Sequence, residues 1–172
     1  MLEKIPDMPE EIKQELFKKV RGKSNLEMSA RHRGVDRSGS LPFDQESLGT
    51  RRMFMLVWKL YQVVNRGGLL VIDELEASLH PLLIRSLLTF FQRLCHKKGP
   101  SQLVFSTHQT HLLNDNQLRR DQLWLTEKDQ HGCTRLESLW DYKPRKGEAL
   151  EKNYLAGRYG GIPDLQEVAW NG

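Results

Sequence analysis

The chain has 172 residues, 38% of them hydrophobic, which is enough for one sizeable core but leaves little room for two independent domains. Its 26 Lys and Arg residues exceed 22 Asp and Glu residues and give a net charge of +4, which permits a nucleic-acid partner without requiring one. Two cysteines outside any CxxC pattern, and no apolar run near the roughly 20 residues that cross a bilayer, argue against a disulfide framework and a membrane partner. We therefore expect one cytoplasmic domain over residues 1–172.

The N-terminal region, residues 1–40, contains one helical pattern followed by polar sequence. The segment "PEEIKQELFKKV", residues 9–20, has apolar residues at helical spacing, with acidic residues first and lysines last, and it predicts a short amphipathic helix. Residues 21–46 are polar and contain glycines. This composition predicts short strands and turns, with strands near residues 25–32 and 40–44.

The central region, residues 41–140, alternates helical patterns with short apolar runs. The run 69–72 is apolar at consecutive positions and follows two glycines, which predicts a central parallel strand covered on both faces. The predicted order is a helix from 47–50 to Gly67, a strand over 69–72, a helix from Pro81 to Gly99 and a strand over 101–108. Strand, helix and strand then form a parallel β-α-β unit, so the predicted fold class is α/β.

The sequence after the second strand predicts a further helix and a hairpin. The helix is expected near residues 109–120, and the hairpin strands flank the turn "DQHG", residues 129–132. Trp124 lies in an apolar run of this hairpin and is assigned to the core. Residues 141–172 form the C-terminal segment.

Two adjacent carboxylates, Asp73 and Glu74, directly follow the apolar run 69–72. Carboxylates beside a core carry a desolvation cost unless a cation or a reaction employs them. Ligands of parallel sheets gather at the carboxyl ends of the strands, where an aspartate can hold Mg²⁺ while a second carboxylate polarises an attacking water. The alternative is that the strand ends in two acids because it re-enters solvent there.

Two further groups favour the metal and nucleotide interpretation. His108, at the end of the second strand, would reach a γ-phosphate and register its presence; the alternative is an ordinary surface histidine. Ser47, Gly49 and Thr50 place hydroxyls, free amides and a position without a side chain at a helix N-terminus, which is the composition of an anion site. A simple N-cap would explain Ser47 or Thr50, but not the glycine between them.

Three segments together resemble a known family of ATPases. They are "ESLGTRRMF", residues 46–54, "GGLLVIDELEASLHP", residues 67–81, and "LVFSTHQTHLL", residues 103–113. In that order and spacing they look like the signature motif, the Walker B motif with its D-loop, and the switch-histidine region of ABC-type ATPases. The chain is most similar to the stand-alone AAA/ABC-like branch related to the structural-maintenance-of-chromosomes and RecF proteins, many of which occur in phage defence. The resemblance implies a P-loop NTPase-like fold with ATP and Mg²⁺ as cofactors.

The resemblance also implies a role for each matching residue. These roles are Mg²⁺ binding through water for Asp73, general base for Glu74 and γ-phosphate sensor for His108. The signature motif of the family works across a head-to-tail dimer, so Ser47 and Gly49 would act on nucleotide held by a second protomer. Residues 76–80 would be the D-loop at that interface. The motif reads Ser-Leu-Gly-Thr instead of the transporter-type Ser-Gly-Gly-Gln, and Leu75 replaces the usual proline; both differences suit the non-transporter branch.

The Walker A pattern G-x-x-x-x-G-K-[ST], whose loop cradles the phosphates, is not found in the sequence. The segment "RGKSN", residues 21–25, contains Gly-Lys-Ser, but Phe17 occupies the position where the pattern needs its first glycine. The chain therefore resembles the C-terminal half of such an ATPase. We expect it to bind ATP weakly and to be inactive alone, and to need an N-terminal half that carries Walker A or a homologous protomer.

Two other classes of function remain open from the sequence. One is a non-catalytic binding or regulatory module that kept the fold. The other, less favoured, is a metal-dependent nuclease that uses Asp73, Glu74 and residues 127–129. A zinc site at His108 and His111 would lack a third nearby ligand in the sequence.

Overall fold

The chain divides into two units, Met1–Thr107 and His108–Gly172. The computed structural model describes residues 28–34, 38–114, 117–129 and 131–162, together with Gln14. The helix predicted over residues 9–20 lies outside these ranges apart from Gln14.

The first unit contains an antiparallel strand pair followed by a β-α-β unit. Its elements are β1 (Ser29–Arg33), β2 (Ser38–Pro42), a 3₁₀ helix (Phe43–Gln45), α1 (Leu48–Arg66), β3 (Gly68–Ile72), α2 (Pro81–Lys98) and β4 (Ser101–Phe105). β1 pairs with β2 antiparallel, in the region where the sequence predicts short strands. β3 pairs with β4 parallel, which confirms the predicted parallel unit.

Local signals set the ends of both long helices. The Ser47 side chain accepts the Thr50 N–H at the start of α1, and His80 accepts the Leu82 N–H at the start of α2. Pro81 occupies the first turn of α2, where a missing N–H costs nothing. Each helix turns one apolar stripe inward, and the buried members are Leu56, Leu60, Val64, Ile84, Leu87 and Leu88. Both predicted helices are confirmed.

The sheet formed by β3 and β4 is covered on one face only, so the prediction of a strand covered on both faces is wrong. Leu69, Val71 and Val104 are 56%, 64% and 54% exposed, whereas the alternate residues Leu70, Ile72, Leu103 and Phe105 are half-buried. Val71 pairs with Val104 in the parallel register, so these side chains share one face. Parallel sheets are normally covered on both faces. Within the described residues this sheet consists of β3 and β4 alone, and its second face is left exposed.

The second unit is built around a short antiparallel pair. Its elements are 3₁₀ helices at Thr110–Leu113, Arg120–Gln122 and Leu139–Tyr142, the strands β5 (Trp124–Lys128) and β6 (Thr134–Ser138), and the helix α3 (Leu150–Leu155). β5 and β6 pair antiparallel, with Trp124 opposite Ser138. Leu139, Leu150 and Tyr159 form the buried cluster of this unit.

Two expectations for this part of the chain are wrong. The helix predicted near residues 109–120 is replaced, in the described part, by short 3₁₀ turns. Side chains here bind across the unit instead of continuing a helix: Thr110 Oγ1 and Asn114 Nδ2 donate to the Glu151 carboxylate at 2.7 and 3.0 Å. Trp124, assigned to the core, is 56% exposed, because Leu125 is the residue of β5 that packs against the buried cluster.

Candidate functional site

The carboxyl ends of β3 and β4 lie side by side. Ile72 is opposite Phe105, so Asp73 and Ser106 are the first residues beyond the paired strands. The Ser106 N–H donates to the Ile72 carbonyl at 3.0 Å, and the Leu75 N–H donates to the Ser106 carbonyl at 3.0 Å. The Ser106 N–H thus continues the parallel pattern by one bond, and the bond from Leu75, in place of one from Glu74, joins the two segments where the regular pairing ends.

The acid pair is tied to this edge by one side chain. The Ser106 hydroxyl donates to Asp73 Oδ1 and accepts the Glu74 N–H at 2.8 Å. Both carboxylic side chains are exposed. Neither carboxylate therefore carries the desolvation cost that the sequence led us to expect, because both side chains are open to solvent.

The backbone of Glu74 is held in an unusual conformation. Its φ of +47° lies in the left-handed region that residues with a side chain seldom adopt. Arg52 Nη2 donates to the Glu74 carbonyl at 2.6 Å, and the Ala77 N–H donates to the same oxygen at 3.0 Å. Hydrogen bonds to the N–H and to the carbonyl of Glu74 thus fix the direction in which its side chain leaves the backbone.

The arginine contact was not foreseen from the sequence. Charge proximity along the chain favours salt bridges of Arg51 and Arg52 with Glu46 or Asp44. Instead, buried Glu46 pairs with His32 at 2.5 Å, and Arg52 reaches the Glu74 carbonyl. No local sequence signal predicts either contact, because each joins residues on different elements.

The segment that resembles a signature motif has two structural explanations. Ser47 Oγ accepts the Thr50 N–H at 3.1 Å and lies 2.9 Å from Thr50 Oγ1, so Ser47 is the N-cap of α1. A Cβ on Gly49 would lie 2.7 Å from the Ser78 carbonyl oxygen. Close backbone approach therefore accounts for the glycine that a cap alone does not explain.

The loop that follows the acid pair, residues 75–80, packs against the first turn of α1, where Ser78 approaches Gly49. Leu75 and Leu79 are buried, and Ser78 has a φ of +60°. The Leu79 N–H donates to the Glu76 carbonyl at 2.8 Å. The segment expected to be a D-loop is thus an ordered turn anchored by two leucines.

His108 is the first residue of the second unit and is exposed. Along the chain it lies two residues beyond Ser106. Its role as a γ-phosphate sensor stays a prediction.

The acid pair suits a hydrated Mg²⁺ better than a transition metal. Mg²⁺ keeps several waters and takes one or two carboxylates, with phosphate oxygens completing its shell. Asp73 offers such a carboxylate, which is exposed and accepts a hydrogen bond from Ser106. Among the residues that the structure describes, no group of three or more His, Cys, Asp or Glu side chains is placed to hold a metal ion. This donor set fits a metal that arrives with a nucleotide.

Comparison with known proteins places the chain in a family. The family described as "AAA domain, putative AbiEii toxin, Type IV TA system" matches residues 2–114, which is more than half of the chain. The chain belongs to this AAA-domain family. No curated protein matches it. Within the described ranges, this AAA domain has no helix long and apolar enough to span a membrane.

Membership of the AAA-domain family indicates a nucleotide-binding, ATPase-like function, since P-loop proteins of this kind usually use ATP and Mg²⁺. The matched region of the AAA domain includes the parallel unit, the acid pair and Ser106. It also includes the turn from Ser47 to Thr50. The sequence did not identify the contacts of Ser106 and Arg52 with the acid pair, nor the approach of Gly49 to Ser78. Ser106 had a signal, because it is the first polar residue after an apolar strand, whereas Arg52 had none.

Proposed function

We propose that this chain is an ATP- and Mg²⁺-binding module of an ABC-type ATPase. Asp73 would hold Mg²⁺ through water and Glu74 would take a proton from the attacking water, with His108 sensing the γ-phosphate. The bound metal supplies charge neutralisation at the phosphates. The observation that supports this proposal best is the acid pair at the shared carboxyl end of two parallel strands.

The signature segment would serve a second active site. Ser47, Gly49 and Thr50 would face nucleotide bound by another protomer in a head-to-tail dimer. The first amides of a helix have no partner within the helix and can bind an anion, and in α1 the Thr50 N–H is already bound by the Ser47 hydroxyl, which leaves those of Leu48 and Gly49 for that purpose.

The module would need a complementary half to turn over ATP. The sequence contains no Walker A pattern, so the main phosphate cradle has to come from an N-terminal half or from a homologous protomer. The open apolar face of the β3–β4 sheet, formed by Leu69, Val71 and Val104, supports this requirement. In the part of the chain that the structure describes, this sheet has two parallel strands and one exposed face, whereas parallel sheets are normally covered on both faces.

Nucleotide titration and phosphate release test this function directly. We expect the purified chain to bind ATP weakly and to release no phosphate. Coexpression with a reading frame that carries a P-loop should produce a complex with ATPase activity, and Glu74→Gln should abolish that activity. Asp44→Asn, which changes an exposed carboxylate of the same unit, is the matched control and should leave the rate unchanged. Glu74-dependent hydrolysis by the chain alone would overturn the requirement for a complement.

A second candidate is a binding or regulatory module without catalysis. It is favoured by the finding that the cap at Ser47 and the close approach of Gly49 to Ser78 explain the signature-like residues structurally. This candidate predicts that Glu74→Gln leaves the cellular function of the chain intact. Loss of function in Glu74→Gln, with normal amounts of folded protein, would exclude it.

A further inference from the structure

The hydroxyl of Ser106 lies between the two members of the acid pair, and the proposed function assigns it no role. It donates its one hydrogen to Asp73 Oδ1, since an ionised carboxylate only accepts, and its oxygen accepts the Glu74 N–H at 2.8 Å. Both hydrogen-bonding functions of this side chain are therefore used by the acid pair.

Ser106 is itself fixed by the backbone of the sheet. Its N–H donates to the Ile72 carbonyl and its carbonyl accepts the Leu75 N–H, each at 3.0 Å. The first of these bonds continues the β3–β4 pairing by one residue, so the backbone that carries the hydroxyl is attached to the end of the sheet. A group held in this way can orient its neighbours instead of following them.

The two acidic residues beside Ser106 need a partner that holds them in one orientation. Glu74 has a left-handed φ of +47°, which a residue with a side chain keeps only when its surroundings hold it. Its N–H is bound by Ser106 and its carbonyl by Arg52. Asp73 is exposed, so its carboxylate would sample other rotamers without a partner.

We infer that Ser106 is a positioning residue: its hydroxyl orients the Asp73 carboxylate toward a metal and holds the backbone from which the Glu74 side chain projects. The inference rests on the proposed function, because that function gives this orientation a consequence. Groups that orient a metal-binding carboxylate commonly change metal affinity by about tenfold or more.

The test uses the full chain and Mn²⁺ as a paramagnetic stand-in for Mg²⁺, since both cations prefer carboxylate and water oxygens. The variants are Ser106→Ala, which removes the hydroxyl, and Ser106→Thr, which keeps it. Ser86→Ala is the matched control, because Ser86 is an exposed serine of the same unit whose hydroxyl donates only to the Leu82 carbonyl. Asp73→Asn tests the metal site itself.

Two readouts are measured by nuclear magnetic resonance. The amide signal of Glu74 reports its hydrogen bond without any metal, and it should shift in Ser106→Ala but stay near its original position in Ser106→Thr and Ser86→Ala. Broadening of the Asp73 and Leu75 amides by Mn²⁺ gives an apparent dissociation constant. That constant should rise about tenfold in Ser106→Ala and stay within about twofold in Ser106→Thr.

The outcomes separate the inference from the function on which it rests. If Asp73→Asn abolishes the broadening while Ser106→Ala binds Mn²⁺ as well as the original chain, Ser106 is not a positioning residue and the metal site stands. Equal weakening in Ser106→Ala and Ser106→Thr would also reject the hydroxyl as the cause. If the original chain shows no broadening at these amides, or Asp73→Asn does not reduce it, both the metal site and the role of Ser106 fail.

Discussion

Gly49 and Ser78 approach each other so closely that position 49 has no room for a side chain. A Cβ at Gly49 would lie 2.7 Å from the Ser78 carbonyl oxygen, a backbone atom that cannot move without displacing the loop. We therefore expect Gly49→Ala to lower the free energy of unfolding by about 1–3 kcal/mol. Urea denaturation measures this change.

Gly39→Ala provides the control for this glycine. Among the residues that the structure describes, no heavy atom outside its chain neighbours lies within 4 Å of a Cβ built at Gly39, and its φ is not in the left-handed region. Its unfolding free energy should stay within about 0.5 kcal/mol of the original chain. If both glycine variants unfold at the same urea concentration, the Gly49–Ser78 approach is not a constraint on the fold.

Variants of Ser47 separate its cap from its proposed contact with nucleotide. Ser47→Ala should cost about 1 kcal/mol of stability, because the Thr50 N–H loses its acceptor. Ser47→Asp should keep most of that stability, since aspartate is an equally good cap, but it places a negative charge where phosphate would bind. In the complemented enzyme, ATP turnover should therefore fall in Ser47→Asp while the urea midpoint is kept. An Asp variant with normal stability and normal turnover would contradict the phosphate contact.

The two cysteines should differ in reactivity toward iodoacetamide. Burial raises the pKa of the Cys95 thiol, although a backbone hydrogen bond with Ser101 partly opposes this, whereas Cys133 is exposed. Since the thiolate is the reacting form, Cys133 should be alkylated about fivefold or more faster than Cys95 at pH 8. Mass spectrometry of timed samples distinguishes the two sites. Ser in place of Cys133 should leave only the slow reaction, and a fast reaction in that variant would refute the assignment.

Glu148 should make the second unit sensitive to acid. Its carboxylate accepts the Arg145 N–H at 2.6 Å, which is the largest cause of its lowered pKa, and contacts with the Tyr159 hydroxyl and Arg158 add to it. The folded state therefore binds this proton less readily than the unfolded state. The stabilisation is present above the ordinary pKa of 4.5 and is lost as the pH falls through the lower, folded value.

The comparison of Glu148→Gln with the original chain measures this contribution. The variant should be less stable at pH 7, and its unfolding free energy should fall less between pH 5 and pH 3. Urea midpoints across that range give both quantities. Parallel pH profiles for the two proteins would show that Glu148 is not responsible for the loss of stability in acid.

Local sequence patterns predicted the regular elements of the first unit well. The helices α1 and α2 each have a complete local signal: an apolar period, a cap or proline at the start, and a glycine at the end. The strands β3 and β4 are short runs rich in apolar residues that directly follow a glycine or a proline. The elements of the second unit were harder to predict from local patterns. Its 3₁₀ turn at Thr110–Leu113 looks like the start of a helix, and only the bonds of Thr110 and Asn114 to Glu151 show why no longer helix forms there.

The sequence by itself determined the parallel β-α-β unit, the placement of Asp73 and Glu74 at the end of a strand, and the similarity to ATPases. These features depend on neighbouring residues, whose periodicity and spacing can be read along the chain. Only the tertiary structure decided that Ser106 holds the acid pair, that Arg52 binds the Glu74 carbonyl, and that Gly49 is required by Ser78. Each of these contacts joins separate segments, and their distances are set by strand register and helix packing, which no local pattern encodes.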